Sequence, residues 1–214
     1  MYADPTTIEA SIFAGLPRAV GRGDGVIATE RDGIGIARIA ARRGQSARVA
    51  ELFRVHMGIE PPDASRRASF GDVGIAGVAP DTWLATRDGA GNAFAESLQP
   101  LLGECAAVTD QSDAYVILRL IGSRVRETLA KLIPIDVHAR AFRVGDVAQT
   151  VCGYMNVTLW RLEDTARGDP TFEIWAGRSL GVSLYRAISH GAAEFGFVMQ
   201  PSGERAVMGE RLTT

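Results

Sequence analysis

Cysteine and lysine are nearly missing from this chain. The two cysteines, Cys105 and Cys152, lie far apart and outside any CxxC spacing. A structural zinc site needs about four ligands, normally paired at short intervals. The sequence therefore predicts two buried thiols in a reducing, cytoplasmic setting. Lys131 is the single lysine, which leaves almost no candidate for Schiff-base or lysine-base chemistry. The histidines, His56, His138 and His190, show no HxH, HxxxH or HExxH spacing. No GxSxG elbow is present and neither cysteine has a histidine near it in sequence, which argues against a nucleophile–base pair. The glycines of Asp88-Gly89-Ala90-Gly91-Asn92 lack the GxGxxG order and read as a loop rather than a phosphate cradle. No apolar run approaches the ~20 residues of a membrane span, and Met1-Tyr2-Ala3-Asp4-Pro5 has neither part of a signal peptide. A soluble protein is expected. Its formal net charge of -2 gives no electrostatic reason to bind nucleic acid or an anionic membrane.

What is present is a globular composition. Apolar residues make up 46% and charged residues 22% of 214 positions, enough for one large or two small domains. In residues 1–32, Ile8, Ile12, Phe13 and Leu16 suggest a short amphipathic piece closed by Pro17, and Arg22-Gly23-Asp24-Gly25 reads as a turn. That segment is expected to be an N-terminal arm. Residues 34–41 read as a strand. Ser46 opens a helix with Val49, Leu52, Phe53 and His56 on one stripe and Gly58 past its end, so His56 reads as a packed histidine. Strand-like segments at 68–70, 73–78 and 82–86 follow, then a helix at 93–102 and a strand at 105–109.

The second half begins with a nearly continuous apolar strand at 114–121, expected to be central and covered on both faces. A helix over 124–133 stops at Pro134, which lacks a backbone N–H. Residues 147–152 and 155–162 form a hairpin turning at Gly153-Tyr154. A strand at 172–176 leads to a helix over 180–195, capped by Ser179, with Leu180, Leu184, Ile188 and Phe195 inward. Residues 201–214 read as a polar tail.

The element order repeats. Residues 33–112 and 113–200 each run approximately β-α-β-β-α-β, the split plan that gives an antiparallel sheet with helices on one face. The fold class is therefore α+β with duplicated halves, and Trp83 is expected to have Trp175 as its equivalent.

Five polar residues stand out in the second half. Asp136 and His138 alternate with Ile135 and Val137 and so share one face of an extended segment. Such a pair can act as acid and base, yet more often fixes a loop by hydrogen bonding. Arg161 interrupts a strand-like run and Arg178 precedes the helix cap Ser179. Both arginines suit bidentate contacts to a carboxylate, inside the chain or across an interface. The reading assigns no catalytic, cofactor or metal residue; these five are candidate structural or interface positions.

An ordered set of short motifs carries a resemblance. It runs Leu132-Ile133-Pro134-Ile135-Asp136-Val137-His138, Ala141-Phe142, Gly145, Gln149-Thr150, Trp160-Arg161, Phe172, Arg178-Ser179 and Glu194-Phe195-Gly196. In this set the chain resembles the gamma subunit of heterotetrameric sarcosine oxidase, over about the C-terminal 80 residues. Ile133 and Ile135 depart from the family pattern, and the tail after Gly196 is longer. The resemblance implies a four-chain bacterial flavoenzyme that demethylates sarcosine to glycine, with FAD, FMN and NAD on the alpha and beta chains. It further implies tetrahydrofolate as one-carbon acceptor and zinc on the delta chain. The gamma chain itself resembles part of the folate-dependent aminomethyltransferase of glycine cleavage, which fits the duplicated plan. It is expected to bind no cofactor and to pack chiefly on the alpha chain. Alternatives are a stand-alone folate-binding or aminomethyltransferase-like protein, the equivalent subunit of a related N-methyl amino acid dehydrogenase, and an interaction module of an unrelated complex.

Overall fold

A computed structural model describes residues 11–201; Ile8 and nearly all of the polar tail lie outside the described residues. Two short strands come first, β1 (Ala19–Val20) and β2 (Val26–Glu30). The first half follows as β3 (Gly35–Ala41), α1 (Ser46–Met57), β4 (Arg67–Phe70), β5 (Val73–Ala79), β6 (Thr82–Arg87), α2 (Ala93–Leu102) and β7 (Ala106–Asp110). The second half is β8 (Tyr115–Ile121), α3 (Val125–Leu132), β9 (Val147–Cys152), β10 (Met155–Arg161), β11 (Thr171–Gly177), α4 (Gly181–Gly191) and β12 (Phe197–Gln200).

Local chemistry accounts for the boundaries. Helix α1 buries Val49 and Phe53 and closes on Gly58, whose φ of 67° is left-handed. His56 lies on the solvent side of that helix, so the packed role expected for it is not the one observed: Met57, one step on, turns partly inward. Helix α3 ends at Ile133, extended at φ -123° and ψ 128°, as the residue before a proline must be. The β9–β10 hairpin pairs Cys152 with Met155 around Gly153 and a fully exposed Tyr154. Ser179 does not cap α4. A 3-10 turn over Arg178–Leu180 intervenes, and the cap position falls to Leu180 without a side-chain bond. The helix also stops at Gly191, leaving Phe195 half-buried and Leu180 exposed.

Both halves build sheets in one order. The first half forms β4-β5-β6-β3-β7, and the second forms β9-β10-β11-β8 followed by β2, β12 and β1. Strand β2 is thus inserted between β8 and β12, antiparallel to the former and parallel to the latter. The segment read as an arm instead supplies two strands of the seven-stranded sheet. Alternation in the short run Val26–Glu30 is weak, and its partners are almost a whole chain away, which local patterning cannot reveal.

Glycines permit the insertion. Gly25 N–H donates to the Phe195 carbonyl at 3.1 Å and Val26 N–H to Gly196 at 3.0 Å. A β-carbon on Gly196, at φ +82°, would stand 2.3 Å from Gly23. Two cations pack on Phe195, with Arg124 4.5 Å and Lys131 4.3 Å from its ring centroid. The Glu194-Phe195-Gly196 signature is thereby a clasp on the incoming strand.

The layers run helix, sheet, sheet, helix. One core joins α3 and α4 to the seven-stranded sheet, and another joins α1 and α2 to the five-stranded sheet. The sheets meet through a third cluster containing Ile34, Ile36, Leu84, Ile117, Trp160 and Trp175. Complete burial of such side chains contributes about 2–3 kcal/mol each. Trp83 and Trp175 are not equivalents: Trp83 faces the helices of its half, whereas Trp175 faces the opposing sheet. Their strands place them on opposite faces because side chains alternate with period 2.

Candidate functional site

Asp136 and His138 are exposed and face the backbone around them. The Asp136 Oδ1 accepts the His138 N–H at 2.8 Å, and His138 Nδ1 accepts the Arg140 N–H at 3.2 Å. The His138 carbonyl accepts from Ala141 and Phe142. This is a side-chain-stapled turn.

Arg161 is buried inside its own half. Its guanidinium donates to the carbonyls of Leu162 and Thr171 and pairs with Asp164. It also lies 5.0 Å from the Phe172 ring centroid. Ser179 is exposed on the 3-10 turn. Of the five residues, Arg178 alone reaches a cavity of about 320 Å³, also lined by Glu30, Arg31, Asp32, Ser112 and Asp113. There the Glu30 carboxyl is held above the ordinary glutamate range by burial, opposed by the Ser11 hydroxyl bond, with smaller effects from Asp32 and Arg178.

A second cavity, of about 170 Å³, lies between the two sheets. Arg31, Arg67, Arg119, Glu173, Trp160 and Trp175 line it. Register explains the convergence, because Glu173 on β11 stands directly opposite Arg119 on β8 and Trp160 on β10. Arg119 Nη2 donates to Glu173 Oε1 at 2.6 Å, and Arg31 Nε is 3.6 Å from the same oxygen. Trp160 and Trp175 stack at 4.2 Å, and Arg67 stands 5.6 Å from the Trp160 centroid. Burial lowers the Arg67 pKa, with Glu173 opposing that effect. Arg119 and Glu173 are not among the five polar residues that stand out in the sequence. Their signal was one charge inside each of two apolar strands, Arg119 in YVILRLI and Glu173 in TFEIWAG.

Among the described residues, no three His, Cys, Asp or Glu side chains gather as a metal site, and no helix is long and apolar enough to cross a membrane. Both thiols are buried, and burial raises the Cys152 pKa.

The family described as GCVT N-terminal domain matches residues 68–214. In fold, the chain is similar to a heterotetrameric sarcosine oxidase from Corynebacterium sp. U-96 solved with pyrrole 2-carboxylate. That match has 23% identity and a TM-score of 0.70, and covers 82% of this chain and 88% of that chain. It is also similar to the glycine cleavage system aminomethyltransferase T from Bartonella henselae. Here identity is 10%, the TM-score is 0.61, and coverage is 83% of this chain and 48% of that one. The chain therefore spans about half the length of the aminomethyltransferase. No curated protein matches it in sequence.

Proposed function

From a chain that belongs to the GCVT N-terminal domain family, we propose the gamma subunit of a heterotetrameric sarcosine oxidase. The subunit is structural and supports oxidative demethylation of sarcosine to glycine, with one-carbon transfer to tetrahydrofolate. The observation that carries this reading is coextension. The chain and the sarcosine oxidase chain overlap over 82% and 88% of their lengths, against 48% of the aminomethyltransferase.

On this reading FAD, FMN, NAD and tetrahydrofolate sit on neighbouring chains, and this subunit packs against the alpha, beta and delta chains, chiefly alpha. Catalysis occurs on those neighbours. The bonding of Asp136, His138 and Arg161 supports a scaffold role, since each bonds to groups of its own half of the chain. Phe70 and Tyr154, 67% and 105% exposed, are large apolar groups suited to a permanent partner. The equivalent subunit of a related N-methyl amino acid dehydrogenase fits the same geometry, and the host's partners decide between them.

A second reading, a stand-alone folate-binding or aminomethyltransferase-like protein, is favoured by one observation: Glu173 is a buried acid beside two stacked tryptophans. Affinity capture of the tagged chain from its native host tests both. The first reading expects larger flavin-bearing chains to co-purify. A chain that emerges alone and binds tetrahydrofolate overturns it.

A further inference from the structure

We propose that Lys131 is an acyl-modification site, and that acylation there loosens the clasp on β2. Lys131 is the single lysine; every other position among the 23 lysines and arginines is arginine. Its ammonium makes three contacts, all to the segment that leads from α4 into β12. It donates to the Gly191 carbonyl at 2.8 Å, pairs with Glu194, and stands 4.3 Å from the Phe195 ring centroid. Gly191 is the last residue of α4, so its carbonyl is one of those a helix end leaves without an internal partner. A carbonyl, a carboxylate and a ring face meeting at one nitrogen suit an ammonium, whose three donors diverge, whereas a guanidinium's fork is planar. The geometry accounts for a lysine at this position.

The same choice makes the contact open to chemistry. An arginine stays charged in proteins, while a lysine loses its charge on acylation. The Lys131 side chain is 40% exposed, which leaves room for a small acyl phosphate to approach. The free amine attacks the acyl carbon and a C–N bond forms. The C–O bond to phosphate breaks, phosphate leaves, and the nitrogen gives its extra proton to water. The amide that results is neutral and keeps one N–H, so it can serve one of the three contacts at most. Glu194 loses its ion pair and the Phe195 ring one of its two cations. The Phe195 and Gly196 carbonyls are the ones that accept from Gly25 and Val26, at 3.1 and 3.0 Å, at the head of β2. Arg124 stays on the Phe195 ring, so the clasp loosens without falling open.

The test treats the folded full chain with acetyl phosphate and follows hydrogen exchange by mass spectrometry, which reads acetylated and unmodified chains in one sample. Lys131 is expected to be acetylated in the folded chain. On the acetylated chain the amides of residues 19–30 and 192–200 are expected to exchange about fivefold faster, the scale of a partly exposed charged contact. Those of the five-stranded sheet should not change. Lys131→Gln is expected to show the same local rise without reagent. Lys131→Arg, whose α-amino group still reacts, is expected to show none on treatment. A folded chain that stays unmodified at Lys131 overturns the proposal, as does acetylation with no change in exchange or with an equal rise in both sheets. The comparison of modified and unmodified wild-type chains uses no variant and so stands even if either variant fails to fold.

Discussion

A β-carbon on Gly122 would stand 2.4 Å from the carbonyl oxygen of Gly25. The contact marks where β2 slides between β8 and β12, and Gly122 also holds a φ of +139°. Gly122→Ala is therefore expected to cost at least about 2 kcal/mol, combining backbone strain with a collision against main chain. Gly153→Ala, at φ +59° with open space around it, should cost about 1 kcal/mol. Urea unfolding of both variants checks the order.

Glu173 ties the sheet strands electrostatically. Glu173→Gln keeps the shape but leaves Arg119 and Arg31 facing an uncharged amide. The pair is only partly buried, so breaking it from one side is expected to cost about 1–2 kcal/mol, between the exposed and fully buried cases. The Glu173→Gln, Arg119→Gln double variant should lose less than the sum of the singles, and a double-mutant cycle measures the coupling.

The helices and most of the strands in each half were legible because the periods were clean, but β12, Phe197–Gln200, was not. Val49 and Phe53 marked one helix face, and Pro134 and Gly58 marked stops. The insertion of β2 was not, since its five residues pair across the chain and nothing local records that. The two inter-sheet tryptophans were visible, but their facing was not: one strand position of offset reverses it. Asp136 and His138 drew attention by alternation, a signal that a stapled turn shares with an acid–base pair. Glu173 and Arg119 left a usable trace, a charge in each of two apolar strands, whose meaning appears only once the strands are in register.

Asp136 and His138 serve the turn they sit in. His138→Ala and Asp136→Asn should each cost about 1 kcal/mol or less and leave turnover of the assembled complex unchanged. Loss of turnover with the thermal melt intact would assign them chemistry instead.

Glu30 gives a pH signature. Its carboxyl is raised chiefly by burial, against the Ser11 bond. An acid whose pKa is higher folded than unfolded contributes stability that is complete below the unfolded value and is lost as pH rises through the folded one. Starting near the ordinary glutamate value of about 4.3 and moving upward, the native chain should lose stability relative to Glu30→Gln, whose profile is flatter. Thermal melts of both across that range decide the sign.

The role proposed for this chain is that of a scaffold held by larger flavin-bearing neighbours. Native mass spectrometry of the tagged chain purified from its host, with a visible absorption spectrum of the same fraction, tests it most directly. The expected result is one stable assembly of four different chains showing flavin absorption, with the isolated chain colourless. A monomer or a homo-oligomer that carries the activity and the cofactor by itself would contradict it.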